Sequence, residues 1–179
     1  MSWLADAERL DQAVYAAVAR TPTPSLDVAM RRLSSAADRS RLNLLCAAVL
    51  ATAGGDPGRR AAKAGLASVA AASVVVNALV KPVARRRRPD RAGYAVPEAR
   101  QVSMPASRSL PSGHAASAFA FATGVGHVMP RTAAALRPLA AAVAYSRVHT
   151  GVHYPGDVLA GALLGTAVAQ ATAHALDRS

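Results

Sequence analysis

The chain has 179 residues, which is enough for one domain with a sizeable core or a small helical bundle. Its 21 Lys and Arg residues against 10 Asp and Glu give a net charge of +11, which favours an anionic partner such as a phospholipid surface, a phosphorylated substrate or nucleic acid. The hydrophobic fraction of 52% leaves both soluble and membrane classes open, and the single cysteine, Cys46, excludes an intrachain disulfide.

Residues 1–40 are predicted to form two amphipathic helices. Apolar residues recur at three- and four-residue spacing from Trp3 to Ala17, with charged residues between them, until a Thr-Pro-Thr-Pro run ends the pattern. A second, short helix is predicted from Leu26, with Arg31 and Arg32 on its polar face. We expect both helices to lie in a membrane interface, and a cover for a soluble bundle is the alternative. The charged N-terminal residues lack a secretory signal pattern.

Five segments with few or no charges follow, and they predict membrane spans. They are residues 42–55, 64–80, 115–130, 132–146 and 158–176. A span needs about 20 apolar residues, or fewer where flanking arginines extend to the interface, so the first and fourth segments are the weaker candidates. We therefore predict an all-α integral membrane bundle of about five transmembrane helices within 41–177, preceded by the amphipathic segment 1–40, as one domain.

The connections after the second and fourth predicted spans hold the residues that carry chemistry. The first contains KPVARRRRPD at 81–90 and PSGH at 111–114, and the second contains SRVHTGVHYPGD at 146–157. Five spans place both connections on the same side of the membrane. We therefore expect their basic residues, histidines and aspartate to meet at one face.

The run from Arg85 to Arg88 has simpler interpretations when it is taken alone. It is typical of a positive flank that fixes a helix in the membrane, or of a nucleic-acid patch. The run contains no aromatic residue and no DNA-recognition helix accompanies it, so we expect no nucleic-acid partner. Because PSGH and a histidine–aspartate pair accompany the run, the sequence favours a phosphate site instead.

Phosphoryl transfer needs fixed cations and N–H groups around a tetrahedral anion. Ser112 is suited to cap a helix, Gly113 lets the backbone approach an anion, and His114 would then lie in the first turn, close to a leaving oxygen. His153 precedes Asp157 by four residues. Asp157 could accept a hydrogen bond from one ring nitrogen and make the other nucleophilic.

A metal site is the rival interpretation of the second connection. His149, His153 and Asp157 are spaced by fours, as ligands on one helical face would be. However, Gly151 and Pro155 disfavour a continuous helix, and HTGVH lacks the glutamate of an HExxH zinc site. Nearby arginines would also repel a divalent cation. We therefore predict no metal and no cofactor, and assign His149 a structural role.

The three motifs resemble the signatures of the type-2 phosphatidic acid phosphatase superfamily, K-x6-R-P, P-S-G-H and S-R-x5-H-x3-D. The resemblance implies His153 as a nucleophile that forms a phosphohistidine, Asp157 as the residue that orients it, and His114 as the proton donor to the leaving group. The phosphate-binding residues that it implies are Lys81, Arg88, Ser112, Gly113 and Arg147. It also implies that no metal is required.

The expected reaction is hydrolysis of a phosphomonoester or diphosphate on a membrane lipid in the bilayer. The resemblance favours a polyprenyl-linked phosphate of bacterial cell-wall biosynthesis, with decaprenylphosphoryl-5-phosphoribose as the candidate. Phosphatidic acid, phosphatidylglycerophosphate and a non-catalytic phospholipid-binding role are the alternatives. The expected location is the bacterial plasma membrane, where the excess of basic residues on the catalytic side favours a cytoplasmic site. Many family members that recycle polyprenyl diphosphate work on the outer face instead.

Overall fold

Helices form the regular structure of the computed structural model, which describes residues 3–178, and no strand occurs within that range. We number the seven longer helices α1 (Trp3–Arg20), α2 (Pro24–Ala36), α3 (Arg41–Ala53), α4 (Gly55–Val83), α5 (Gly113–Val128), α6 (Pro130–His149) and α7 (Pro155–Leu176). Single 3₁₀ turns cover Asp38–Ser40 and Glu98–Arg100, and α4 is π-helical over Val75–Val80. The predicted all-α class is confirmed.

Proline and capping signals set most of the helix boundaries. Pro24 opens α2 directly after the Thr-Pro-Thr segment that ends α1, because proline is well suited to a first helical turn. The Ser112 side chain accepts a hydrogen bond from the Ala115 amide and caps α5 as predicted. Helix α5 ends at Val128, two residues before the predicted end of its span, and Pro130 opens α6.

All five predicted spans are helical, but they differ in length. Among residues 3–178, two helices are long and apolar enough to cross a membrane, Gly55–Val83 and Pro155–Leu176. Helix α3 has 13 residues. Its length is therefore about 20 Å, which is less than the thickness of a hydrocarbon core, about 30 Å. Helix α6 carries Pro138 inside it, next to Arg137. Length and composition therefore qualify two of the five predicted spans.

Helix α5 is the centre of the bundle and packs against α4, α6 and α7. Its closest approach is to α7, at a Gly-x-x-x-Gly pair. A Cβ on Gly165 would lie 2.2 Å from the Ala116 carbonyl oxygen, and one on Gly161 would lie 2.4 Å from the Ser112 carbonyl oxygen. Only glycine allows two helix backbones to come this near. The pair therefore fixes the first turn of α5 against the start of α7.

The two N-terminal helices and the segment 84–112 cover the end of the bundle at which α5 and α7 begin. The fully buried Arg100 donates to the Val18 carbonyl and forms a 2.8 Å ion pair with Asp27, so it joins this segment to α1 and α2. The buried Tyr15 hydroxyl of α1 donates to the Gly151 carbonyl at 3.3 Å. Polar contacts thus hold the cover in place.

Much of the apolar face of α1 points outward. Its exposed apolar side chains are Trp3, Leu4, Leu10 and Val14. Tyr15 and Ala19 are the buried residues of this helix. An open apolar face is what a helix in a membrane interface needs, so the interfacial prediction still stands.

We expect Gly165→Leu to separate α5 from α7, because its side chain would meet backbone that cannot give way. The cost should be about 3 kcal/mol or more. Thermal unfolding in detergent should show a midpoint lower by about 5 °C or more. Ala167→Leu adds the same bulk at an exposed position of α7 and should leave the midpoint within about 2 °C. Equal midpoints for the two variants would show that the close helix approach is absent.

Candidate active site

The first and third motifs meet at the covered end of the bundle. Arg88 Nη1 lies 3.1 Å from His153 Nε2 and donates to the Val152 carbonyl at 2.8 Å. Arg88 Nε donates to the Ser107 carbonyl at 2.8 Å, and Lys81 Nζ donates to the Ser107 hydroxyl at 3.3 Å. Two of the predicted phosphate-binding cations therefore share one serine beside the predicted nucleophile.

The second motif joins them at the start of α5. The Ser112 amide donates to the Asp157 carbonyl oxygen at 2.8 Å, which connects PSGH to the first turn of α7. A Cβ on Gly113 would lie 3.7 Å from Lys81 Nζ, so the open N-terminus of α5 faces the ammonium group. Both the helix terminus and the lysine favour an anion between them.

Arg147 and His114 meet across an acidic residue that the motifs do not contain. Arg147 is 2% exposed, and its Nη1 donates to the Ser34 hydroxyl and lies 4.0 Å from Asp38 Oδ1. His114 Nε2 lies 2.9 Å from the same oxygen. Arg147 Nε is buried without a hydrogen-bond partner among residues 3–178. An anion accepting from this nitrogen would satisfy it.

The predicted contact between His153 and Asp157 runs through a third residue. His153 Nδ1 and Asp157 Oδ2 are 3.6 Å apart, which is too far for a hydrogen bond. The Ser109 hydroxyl donates to that oxygen at 2.5 Å and lies 3.4 Å from His153 Nδ1. Asp157 also accepts from the amide of Tyr154, the N-cap residue of α7, at 2.9 Å, as the third helical residue of a capping box. That cap draws the carboxylate away from the ring.

The four-arginine run divides into two inward and two outward side chains. Its backbone is not helical, and side chains of an extended chain alternate between opposite sides. Arg86 and Arg88 are partly buried, whereas Arg85 and Arg87 are exposed. Arg86 and Arg88 therefore belong to the site, and Arg85 and Arg87 do not. The run is thus more than the positive flank of a membrane helix.

Arg86 connects the catalytic aspartate of the prediction to α1. It donates to Asp157 Oδ1 at 3.1 Å and to Asp11 Oδ2 at 2.5 Å, and it lies 4.5 Å above the Tyr154 ring. Asp11 Oδ1 accepts from the Gly156 amide at 2.7 Å. Since Asp157 is fully buried, this guanidinium supplies the counter-charge that a buried carboxylate requires.

Burial determines the protonation state of His153. Burial is the largest effect, Asp157 opposes it and the positive charge of Arg88 adds to it, and together they lower the pKa of this histidine from 6.5 to about 4. His153 is therefore neutral at pH 7. With Nδ1–H directed at Ser109, the Nε2 lone pair faces the cations.

His149 lies apart from this arrangement. Its Nε2 is 2.8 Å from Asp27 Oδ1 and its Nδ1 is 3.2 Å from the Tyr145 hydroxyl, so it stabilises the packing of α2 on α6. His149, His153 and Asp157 do not converge as a ligand set. In the described range 3–178, no group of three or more His, Cys, Asp or Glu side chains is arranged to hold a metal ion.

Five polar residues at the site were not singled out from the sequence. They are Asp11, Ser34, Asp38, Ser107 and Ser109. Ser109 lies two positions before PSGH, and this closeness is the one local signal that could have indicated it. Asp11, Ser34 and Asp38 come from residues 1–40, and nothing in the sequence places that segment over the motifs.

Comparison with known proteins assigns the family. Residues 62–179 match the profile of the PAP2 superfamily. The chain belongs to the PAP2 superfamily. A protein of Mycolicibacterium smegmatis (strain ATCC 700084 / mc(2)155), decaprenylphosphoryl-5-phosphoribose phosphatase, is 36% identical over 164 residues, which cover 88% of this chain and 84% of that protein. The resemblance read from the three motifs is confirmed.

A second relative matches over a shorter stretch. The decaprenylphosphoryl-5-phosphoribose phosphatase of Mycobacterium tuberculosis (strain ATCC 25618 / H37Rv) is 39% identical over 92 residues, which cover 50% of this chain. The chain spans about half the length of that relative, 48%. The matched half therefore indicates common ancestry with that relative. It does not by itself assign an activity to this chain.

Two solved structures share the fold. LpxE of Aquifex aeolicus has a TM-score of 0.71 and 25% identity, over 91% of this chain and 94% of that one. A transmembrane PAP2-type phosphatidylglycerolphosphate phosphatase of Bacillus subtilis has a TM-score of 0.70 and 22% identity, over 97% and 87%. This likeness shows a shared fold, and two helices of the chain have the length and composition to cross a membrane.

A titration measures the state of His153 directly. We expect ¹⁵N NMR of histidine-labelled protein in detergent to show His153 neutral from pH 8 down to about pH 5, because its pKa is held near 4. His153→Asn assigns the signal by its loss. A midpoint near the ordinary value of 6.5 would contradict the burial of this ring in a cationic site.

The arginine run offers its own matched controls. We expect Arg86→Gln to lower kcat about tenfold or more with KM within about threefold, since Asp157 loses a charged partner worth about 1.5–3 kcal/mol. Arg87→Gln removes an exposed charge one position away and should leave both constants within about twofold. A fall in kcat shared equally by the two variants would show that overall charge, not the contact with Asp157, is responsible.

Proposed function

We propose that this protein is a membrane lipid phosphatase that works through a covalent phosphohistidine. The contact between Arg88 Nη1 and His153 Nε2, 3.1 Å long, carries the proposal. It puts a neutral, nucleophilic nitrogen against a guanidinium suited to phosphate. Membership of the PAP2 superfamily supports the same chemistry.

In the first step, His153 Nε2 attacks the phosphorus of a lipid phosphate. An N–P bond forms, the bond from phosphorus to the lipid oxygen breaks, and that oxygen takes a proton from His114. The charges of the bound phosphate and of Asp38 favour the protonated form of His114 that this step requires, against the effect of its burial. Lys81, Arg88 and Arg147 neutralise the phosphoryl oxygens during the transfer. The imidazolium that results on His153 is stabilised by Asp157 through Ser109.

In the second step, water completes the hydrolysis. Neutral His114 takes a proton from the water, whose oxygen attacks phosphorus as the N–P bond breaks. Inorganic phosphate leaves, His153 returns to its neutral form and His114 is again protonated. The net reaction consumes one water and releases a lipid alcohol and phosphate. All proton transfers are made by this chain's own residues.

The substrate follows from the relatives and from the position of the site. Two mycobacterial relatives are named decaprenylphosphoryl-5-phosphoribose phosphatase, and we propose the 5-phosphate of such a polyprenyl-linked pentose as the group removed. The site lies where α5 and α7 begin, at one end of a bundle with two apolar helices of span length. A substrate phosphate could reach it while its chain stays in the bilayer.

We propose that α3 to α7 form the membrane core, with α1 and α2 in the interface on the catalytic side. Exposed apolar residues on α1 support this placement. The basic residues around the site favour the cytoplasmic leaflet, by the positive-inside tendency. A cytoplasmic site would act on a lipid during its synthesis, before it is moved across the membrane.

The first experiment measures phosphate release from a panel of lipid phosphates by protein purified in detergent, with EDTA present. The panel includes a prenylphosphoryl-5-phosphoribose, phosphatidic acid and phosphatidylglycerophosphate. We expect EDTA-resistant release from the phosphoribose lipid that falls more than about 10³-fold in His153→Ala, because the nucleophile is lost. His127→Ala, in which the removed histidine lies at the far end of α5, should retain full activity.

Two results would contradict the proposal. Release that EDTA abolishes would indicate a metal-dependent reaction. Retained binding of lipid phosphates without turnover of any of them would indicate the phospholipid-binding alternative. A preference for phosphatidic acid or phosphatidylglycerophosphate would keep the mechanism and change the substrate.

A further inference from the structure

A polar cleft adjoins the candidate active site on the far side of Asp38. Its volume is about 480 Å³. Its lining comes from α2, from the 3₁₀ turn that follows α2 and from the segment after Arg100. These residues are Arg31, Arg32, Ser35, Asp38, Gln101, Val102 and Ser103. One of these seven side chains is apolar, so the cleft is suited to a hydrated, charged group and not to a hydrocarbon chain.

Asp38 is shared by the cleft and the candidate active site. Its Oδ1 lies 2.9 Å from His114 Nε2 and 4.0 Å from Arg147 Nη1, while the same residue forms one wall of the cleft. In phosphoryl transfer the attacking and leaving atoms lie roughly in line on opposite sides of phosphorus. Whatever is attached to the leaving oxygen therefore extends past His114, towards Asp38 and the cleft.

The charges of the cleft select an anion. Arg31 and Arg32 are exposed, and neither forms an ion pair with a carboxylate among residues 3–178. They are two cations against the single carboxylate of Asp38. Guanidinium groups bind phosphate in a bidentate manner, whereas a carboxylate commonly accepts hydrogen bonds from ribose hydroxyls.

We propose that this cleft binds the leaving group of the substrate, and that it recognises a hydroxylated pentose carrying a second, phosphodiester anion. The pentose hydroxyls donate to Asp38, and the phosphodiester lies against Arg31 and Arg32. The proposal rests on the proposed phosphatase function and deepens it. It assigns the residues that distinguish a phosphoribose lipid from a simple lipid phosphate, which the three motifs do not do.

The test compares two soluble substrates with equal alkyl chains. One is decylphosphoryl-5-phosphoribose, and the other is decyl riboside 5-phosphate, which lacks the phosphodiester. Both are assayed in an uncharged detergent, so that no phospholipid competes for the arginines. The variants are R31Q/R32Q and the charge-matched control R59Q/R60Q, which removes two exposed arginines at the end of α4 opposite Lys81.

We expect R31Q/R32Q to raise KM for the phosphodiester substrate at least tenfold while kcat stays within twofold. KM for the decyl riboside should not change by more than twofold, because that substrate presents no second anion. R59Q/R60Q should leave both substrates unaffected. Equal thermal midpoints of wild type and R31Q/R32Q verify that both exposed substitutions leave the fold intact.

Several results would overturn the cleft assignment while leaving the phosphatase proposal in place. One is an equal rise of KM for both substrates, which would assign the arginines a general role at the micelle or bilayer surface. Another is no change for either substrate. A third is wild-type protein that cleaves phosphatidic acid but neither pentose substrate. Absence of His153-dependent release from every lipid phosphate would instead overturn the proposed function itself.

Discussion

The buried charge of Asp157 is the constraint on which the rest of this site depends. An ionised carboxylate without water costs several kcal/mol unless hydrogen bonds and a counter-charge replace its hydration. Here the Ser109 hydroxyl, the Tyr154 amide and the Arg86 guanidinium do so. These donors come from the segment 84–112 and from the turn before α7. Satisfying one carboxylate therefore brings together the parts of the chain that hold the first and third motifs.

The same network extends to the N-terminal cover. Asp11 of α1 accepts from Arg86 and from the Gly156 amide. It therefore joins a helix with an open apolar face to the guanidinium that contacts Asp157. Loss of this contact would leave Arg86 with one anionic partner instead of two. The position of α1 is thereby coupled to the orientation of Asp157. If Asp157 acts in catalysis as proposed, the amphipathic helix contributes to that orientation.

The residues of the three motifs could be predicted from the sequence because each phosphoryl-transfer role demands a particular residue type at a fixed spacing. Ser109 and Asp38 could not, since a serine or an aspartate is informative only once tertiary packing sets it beside a histidine. The helices were predictable from uncharged runs and prolines. The number of spans was not, because α3 is short and α6 contains Arg137 and Pro138, so packing against α4 and α5 decides their place.

The cations of the site repel one another as long as no anion lies between them. The charge of Arg88 helps to lower the pKa of His153, and Arg147 keeps a buried nitrogen without a partner among residues 3–178. Such an arrangement stores unfavourable electrostatic energy in the free protein, and a bound phosphate relieves it. The relief is greatest when negative charge on the phosphoryl oxygens is highest. Folding thus fixes the positions of these cations, and Asp157 and Asp38 partly balance their charge from two sides. This arrangement favours phosphoryl transfer over simple binding of phosphate.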